Sequence, residues 1–117
     1  MFRFDEGLKV YLHGDPVDFR VGINGLSILV EQSMRISPMS SALFVFGNRR
    51  YDRIKILGWS RNGFWLLQKR LESERFIWPR DNQRVVELSV QQLHWLLDGI
   101  DLAAMRGHAA VSYQKSA

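Results

Sequence analysis

The sequence predicts an α+β fold: a single compact domain running strand, helix, antiparallel sheet of about four to five strands, helix. Three observations carry that prediction. Runs with two-residue alternation gather in the middle of the chain, apart from two segments with three- and four-residue apolar spacing. An Asn62-Gly63 pair sits between two of those runs, as in a tight hairpin. The chain has 117 residues, the size of one ordinary domain.

Residues 8–13 alternate as a strand does, and Gly14-Asp15-Pro16 then supplies turn chemistry. A helix follows, because Ile23, Leu26, Val30 and Met34 share one face. Asp18 is placed to cap it, and Ser37-Pro38 to end it, since a residue before proline is pushed out of the α region. Leu43-Phe44-Val45-Phe46 is a short apolar run, expected to be a strand buried on both faces. Gly47-Asn48 reads as a turn. Residues 53–59 and 64–71 pair across Asn62-Gly63. Alternation in the second strand puts Phe64, Leu66, Gln68 and Arg70 on one face and Trp65, Leu67, Lys69 and Leu71 on the other. Short strands are expected at 75–78, before Pro79, and at 85–88.

The last helix has the clearest signature. Ser89 and Gln92 form a capping box ahead of an apolar stripe of Leu93, Leu96, Leu97 and Ile100, and Gly99 suits its C-terminus. The domain spans 1–117, with its core over about 8–101 and a frayed tail expected from 102 on.

Composition narrows the function. The absence of cysteine excludes disulfides, Cys-ligated zinc and thiol nucleophiles. Acidic Asp5 and Glu6 lie where a signal peptide needs an apolar run, and no stretch approaches the roughly 18 apolar residues of a membrane span. A soluble, cytoplasmic protein is expected, without membrane contact.

Catalytic candidates are few. They are His13, His94 and His108, with Asp15, Asp18, Asp52, Asp81, Asp98 and Asp101. No Ser lies in a Gly-x-Ser-x-Gly turn, and no spacing makes these acids converge, so turn caps and surface ion pairs account for them best. A three-carboxylate nuclease centre stays open on residue count alone. The histidines are scattered, so neither a metal site nor a cofactor is expected. Gly22-Ile23-Asn24-Gly25 has the form of the Gly-x-x-Gly loop that clamps nucleic acid in KH domains, but it carries no cation and follows a strand and turn, where a helix start fits better.

The charge distribution is more telling. The formal net charge is +4, yet residues 49–84 hold ten basic and four acidic side chains. Tyr51, Trp59, Phe64, Trp65, Phe76 and Trp78 interleave with those cations. Nucleic acid needs cations for phosphate and flat side chains for bases or sugars, and eight of the ten cations are arginine, whose planar fork grips phosphate bidentately. A solvated sheet face with its aromatics turned into the core gives the same composition. The residues that would contact DNA are Arg49, Arg50, Arg53, Lys55, Arg61, Lys69 and Arg70, with the first three, at the strand junction, the sharpest choice.

Residues 43–50 (Leu-Phe-Val-Phe-Gly-Asn-Arg-Arg), followed by Asp52, Lys55, Leu57 and Trp59, resemble the TnpB-type accessory protein of the bacterial insertion sequence sixty-six family. Asn62-Gly63, Lys69-Arg70-Leu71-Glu72 and Phe76-Ile77-Trp78-Pro79 extend the likeness, as do Asp18-Phe19-Arg20 with Gly22 and Gly25-Leu26 upstream. Downstream it takes in Gln92-Leu93, Leu96-Leu97 and Gly99-Ile100-Asp101. The resemblance implies a helper of DNA transposition, encoded beside a transposase, with no mechanism and no catalytic residues to carry over; with the charge split, a non-enzymatic accessory factor is expected. The RNA-guided nucleases also called TnpB are much longer proteins and share only the name. Two partners follow from this: DNA, through the basic aromatic-rich surface, or the element-encoded transposase, with the chain as a protein–protein adaptor. An exposed strand edge also leaves room for a homo-oligomer, although no residue demands one.

Overall fold

A computed structural model describes residues 4–80 and 82–106. Asp81, His108 and residues 107–117 of the expected tail lie outside the described residues. The α+β architecture is as expected, built on one five-stranded sheet. The strands are β1 (Lys9–His13), β2 (Ala42–Gly47), β3 (Arg53–Ser60), β4 (Gly63–Arg70) and β5 (Val85–Leu88), in the order β4-β3-β2-β1-β5. The sheet is not wholly antiparallel. β1 and β2 run parallel, because helix α1 (Ile23–Leu29) and its π-helical continuation Val30–Met34 carry the chain back across the sheet between them. All other neighbours pair antiparallel.

Both faces of the sheet are covered. On one, Leu26, Val30 and Met34 pack on Phe44, Phe46 and Leu57. On the other, Leu93 and Leu96 of α2 (Val90–Leu97) pack against Val10, Leu12, Leu43, Val45, Ile54 and Ile56. β2 lies at the centre, buried along its whole length, as its unbroken apolar run requires. The expected faces of β4 also hold: Phe64 and Leu66 join the α1 side, and Trp65 and Leu71 the α2 side.

The α2 capping box forms as read. The Gln92 backbone N–H donates to Ser89 Oγ at 3.0 Å, and the Ser89 N–H donates to Gln92 Oε1 at 2.9 Å. Gly99 follows the helix at φ 84°, the left-handed conformation that glycine adopts without strain.

Five local expectations are corrected. Asp18 does not cap α1; Gly22 holds the N-cap position, and the Asp18 carboxylate turns to Arg20 instead. Helix α1 with its continuation ends before Pro38, at Arg35, which takes a left-handed φ of 61°. The β3–β4 turn centres on Arg61-Asn62, with Ser60 opposite Gly63, so Gly63 belongs to the strand and Arg61 takes the positive φ. Segment 75–78 is not a strand, because the Phe76 N–H donates to the Tyr51 carbonyl at 2.7 Å rather than to a ladder. The tail does not begin at 102. Asp101 Oδ1 caps a further helix, α3 (Leu102–Arg106), and Leu102 is buried in the core.

Candidate nucleic-acid interface

The sheet gathers cations that the sequence separates. β1 and β2 are parallel, and β5 runs antiparallel to β1, so His13, Gly47, Arg53, Arg70 and Val85 all fall at one end of the sheet. The segments carrying Arg20, Arg49, Arg50, Arg75, Arg80 and Arg84 join the strands at that same end. It is also the carboxyl end of the parallel pair, the usual place for a ligand in sheets with parallel strands.

Within this end, turn 48–53 is held from inside by Asn48. Its Nδ2 donates to Asp52 Oδ1 at 2.7 Å, and its Oδ1 accepts from the backbone N–H groups of Asp52 and Arg53, both at 3.1 Å. The hydrogen bond from Asn48 holds the Asp52 carboxyl below its usual range, with Arg50 and Arg53 adding to the effect. Tyr51 completes the turn at φ 56°, its ring stacked on Trp78 with centroids 5.0 Å apart. The turn thus fixes its own acid and aromatic inward and leaves Arg49 and Arg50 exposed.

A second segment closes the site. The Val17 N–H donates to the Gly47 carbonyl at 2.8 Å, and Lys55 Nζ donates to the carbonyls of Phe19 and Val21 at 2.9 and 2.8 Å. These bonds seat loop 16–20 against the turn. Between them lies a cleft of about 540 Å³ bordered by Arg20, Arg49, Arg50 and Arg53. The Arg53 Nε is buried and has no hydrogen-bond partner among the described residues. A buried guanidinium donor left unpaired is costly. Asp18 is the acid of the cleft; hydrogen bonds from Arg20 lower its pKa to about 2, with a smaller effect from the charge of Arg49.

The seven expected contact residues therefore divide. Arg49, Arg50 and Arg53 converge on one cleft. Arg70 lies opposite Arg53 across the strands and pairs with Glu72 at 3.2 Å. Arg61 lies at the far end of the sheet, on the β3–β4 turn. Lys69 points to the α2 side, where its ammonium donates to the Leu97 carbonyl at 2.7 Å. Lys55 is 7% exposed, its charge turned inward over the Phe19 ring, so it does not belong to an exposed surface. Burial pushes its pKa down, with the nearby Arg53 charge contributing. Sequence reasoning missed Arg20 as a cleft residue; its only signal was the Asp18-Phe19-Arg20 block of the resemblance.

Of the catalytic candidates among the described residues, His13, His94, Asp18, Asp52 and Asp101 have structural partners. His13 is buried between the Asp15 carbonyl and Ser33 Oγ, and His94 accepts from the Phe4 N–H. Among the described residues no group of three His, Cys, Asp or Glu side chains is arranged to hold a metal ion. No helix among them is long and apolar enough to cross a membrane.

Comparison with known proteins was made at family, sequence and structure level. The family model described as "IS66 Orf2 like protein" matches residues 8–107. Two similar proteins come from Sinorhizobium fredii (strain NBRC 101917 / NGR234). The uncharacterized protein y4jC is 36% identical over 95 residues, which is 81% of each chain. The uncharacterized protein y4hO is 31% identical over 101 residues, 86% of this chain and 88% of its own. No solved structure matches.

Proposed function

The chain belongs to the IS66 Orf2-like family, which implies an accessory role in transposition, and we propose that it fills this role without catalysis by gripping the DNA backbone in the Arg49–Arg50–Arg53 cleft. One observation carries the proposal: three arginines from a single braced turn meet Arg20 in a cleft where a buried guanidinium donor lacks a partner among the described residues. Such a site suits a phosphate oxygen. The engagement of Asp18, Asp52 and Asp101 in pairing, bracing and capping supports the non-enzymatic reading.

The test is a salt titration of duplex binding. Neutralising roughly four to six phosphates gives a log–log slope near −4 to −5. The Arg49→Ala/Arg50→Ala/Arg53→Ala variant flattens it while leaving the thermal melt cooperative. A wild-type protein that binds no duplex at low salt overturns the proposal.

A second reading, an adaptor that holds the transposase without touching DNA, draws on a different feature. An apolar groove of about 610 Å³ runs between β4 and α2, bordered by Phe4, Ile54, Leu67, Trp95 and Leu97. On this reading the transposase co-purifies in high salt and nuclease, and the triple arginine variant retains it.

A further inference from the structure

Arg75, Arg80 and Arg84 stand outside the cleft just described. They border a second one, of about 890 Å³, floored by Phe76 and Trp78. Pro16 borders both clefts, and Tyr51, which follows Arg50 in the chain, lines the second. The segment carrying Arg75, Arg80 and Arg84 is fastened to turn 48–53 and to the end of β1. The Tyr51 carbonyl accepts from the Phe76 N–H at 2.7 Å, the Gly14 N–H donates to the Arg84 carbonyl at 2.9 Å, and Trp78 Nε1 donates to the His13 carbonyl at 3.1 Å. None of the three arginines forms an ion pair with another described residue. Asp15 is the only acid among the described residues of this cleft.

The aromatics bear on what kind of nucleic acid fits. Proteins that hold single strands stack bases on open rings. Here no described aromatic residue is exposed. Phe76 and Trp78 are buried, Tyr51 is stacked on Trp78, Trp59 packs edge-on against Phe64, and Trp65 stacks on Phe4. At this end of the sheet Phe76 and Trp78 are buried and Tyr51 packs against the core, while Arg75, Arg80 and Arg84 are exposed, so the guanidinium groups are the ligand-facing chemistry. That combination suits a duplex, which presents a dense line of phosphates and covers its base faces.

We infer that the Arg75–Arg80–Arg84 cleft is a second backbone contact on the same ligand, and that this ligand is double-stranded DNA held without base stacking. The inference rests on the DNA reading of the first cleft. It is tested by fluorescence anisotropy on a mixed-sequence duplex of about 20 base pairs and on its separated strands, each titrated with salt. With three cations in each cleft free of ion pairs, the wild-type slope on duplex is expected near −5, and Arg75→Ala/Arg80→Ala/Arg84→Ala brings it to about −2.5. The charge-keeping variant Arg75→Lys/Arg80→Lys/Arg84→Lys, which controls for folding, keeps a slope near the wild-type value. If the second-cleft alanine variant leaves the slope unchanged while the first-cleft variant lowers it, the second contact is refuted and the first stands. Tighter binding of the separated strands than of the duplex overturns the assignment to double-stranded DNA. Absence of any binding by the wild type overturns both clefts.

Discussion

Lys55 shows how a cation can serve the proposed DNA-contact cleft from inside the fold, without lining it. It lies on the α1 face of β3, one position before Ile56, which packs on the opposite face. There it anchors the loop carrying Arg20 by two carbonyl bonds. Lys55→Ala leaves both carbonyls without that donor, so a loss of about 1–3 kcal/mol is expected in chemical denaturation. The pH dependence has a definite sign. The pKa of Lys55 is lower in the folded chain than its ordinary 10.5, so between the two values the unfolded state binds more protons. Wild-type stability should therefore gain a contribution as pH rises through that window, and Lys55→Met should lack it. A stability difference between the two proteins that does not vary over this range contradicts the burial of the charge.

At the scale of elements, β3 and β4 are joined by close packing as well as by their ladder. A Cβ at Gly58 would lie only 2.1 Å from Trp65 Cζ2, and Trp65 is stacked on Phe4. Gly58→Ala should displace the indole and cost about 1–3 kcal/mol, seen as a lower melting temperature with altered tryptophan fluorescence. An unchanged melt means that Trp65 is free to move. The elements most legible in the sequence were those set by local chemistry. Ser89 and Gln92 defined the start of α2, and the unbroken run in β2 announced burial on both faces. Tertiary partners decided the elements that were misread. Segment 75–78 has strand-like residues, yet its Phe76 donor goes to Tyr51. Likewise α3 has little apolar periodicity and is seated by one buried side chain, Leu102.

At the scale of the whole molecule, the charge asymmetry has a spatial cause. The excess of cations in 49–84 was legible by counting, but counting could not say which of them face together. The strand directions settle that: the parallel β1–β2 pair puts loop 16–20 and turn 48–53 at one end of the sheet, and the antiparallel β4 and β5 bring the segment between them to the same end. Arg61 is left at the other end, and Lys69 and Lys55 bond to backbone carbonyls. Arg70 pairs with Glu72, and the other arginines of that end border two adjoining clefts, with Phe76 and Trp78 buried beneath the second. On the proposed DNA reading, such an arrangement holds the duplex by its backbone and leaves sequence choice to other contacts.

The cleft at turn 48–53 can be tested on the folded protein by NMR, following backbone amide and arginine Nε–H resonances as duplex DNA is added at low salt. The expected result is that Arg49, Arg50 and Arg53 shift first and most, with the buried Arg53 Nε–H moving as it gains an acceptor. Shifts confined to the groove between β4 and α2, around Leu67 and Trp95, would contradict DNA binding at the arginine cleft.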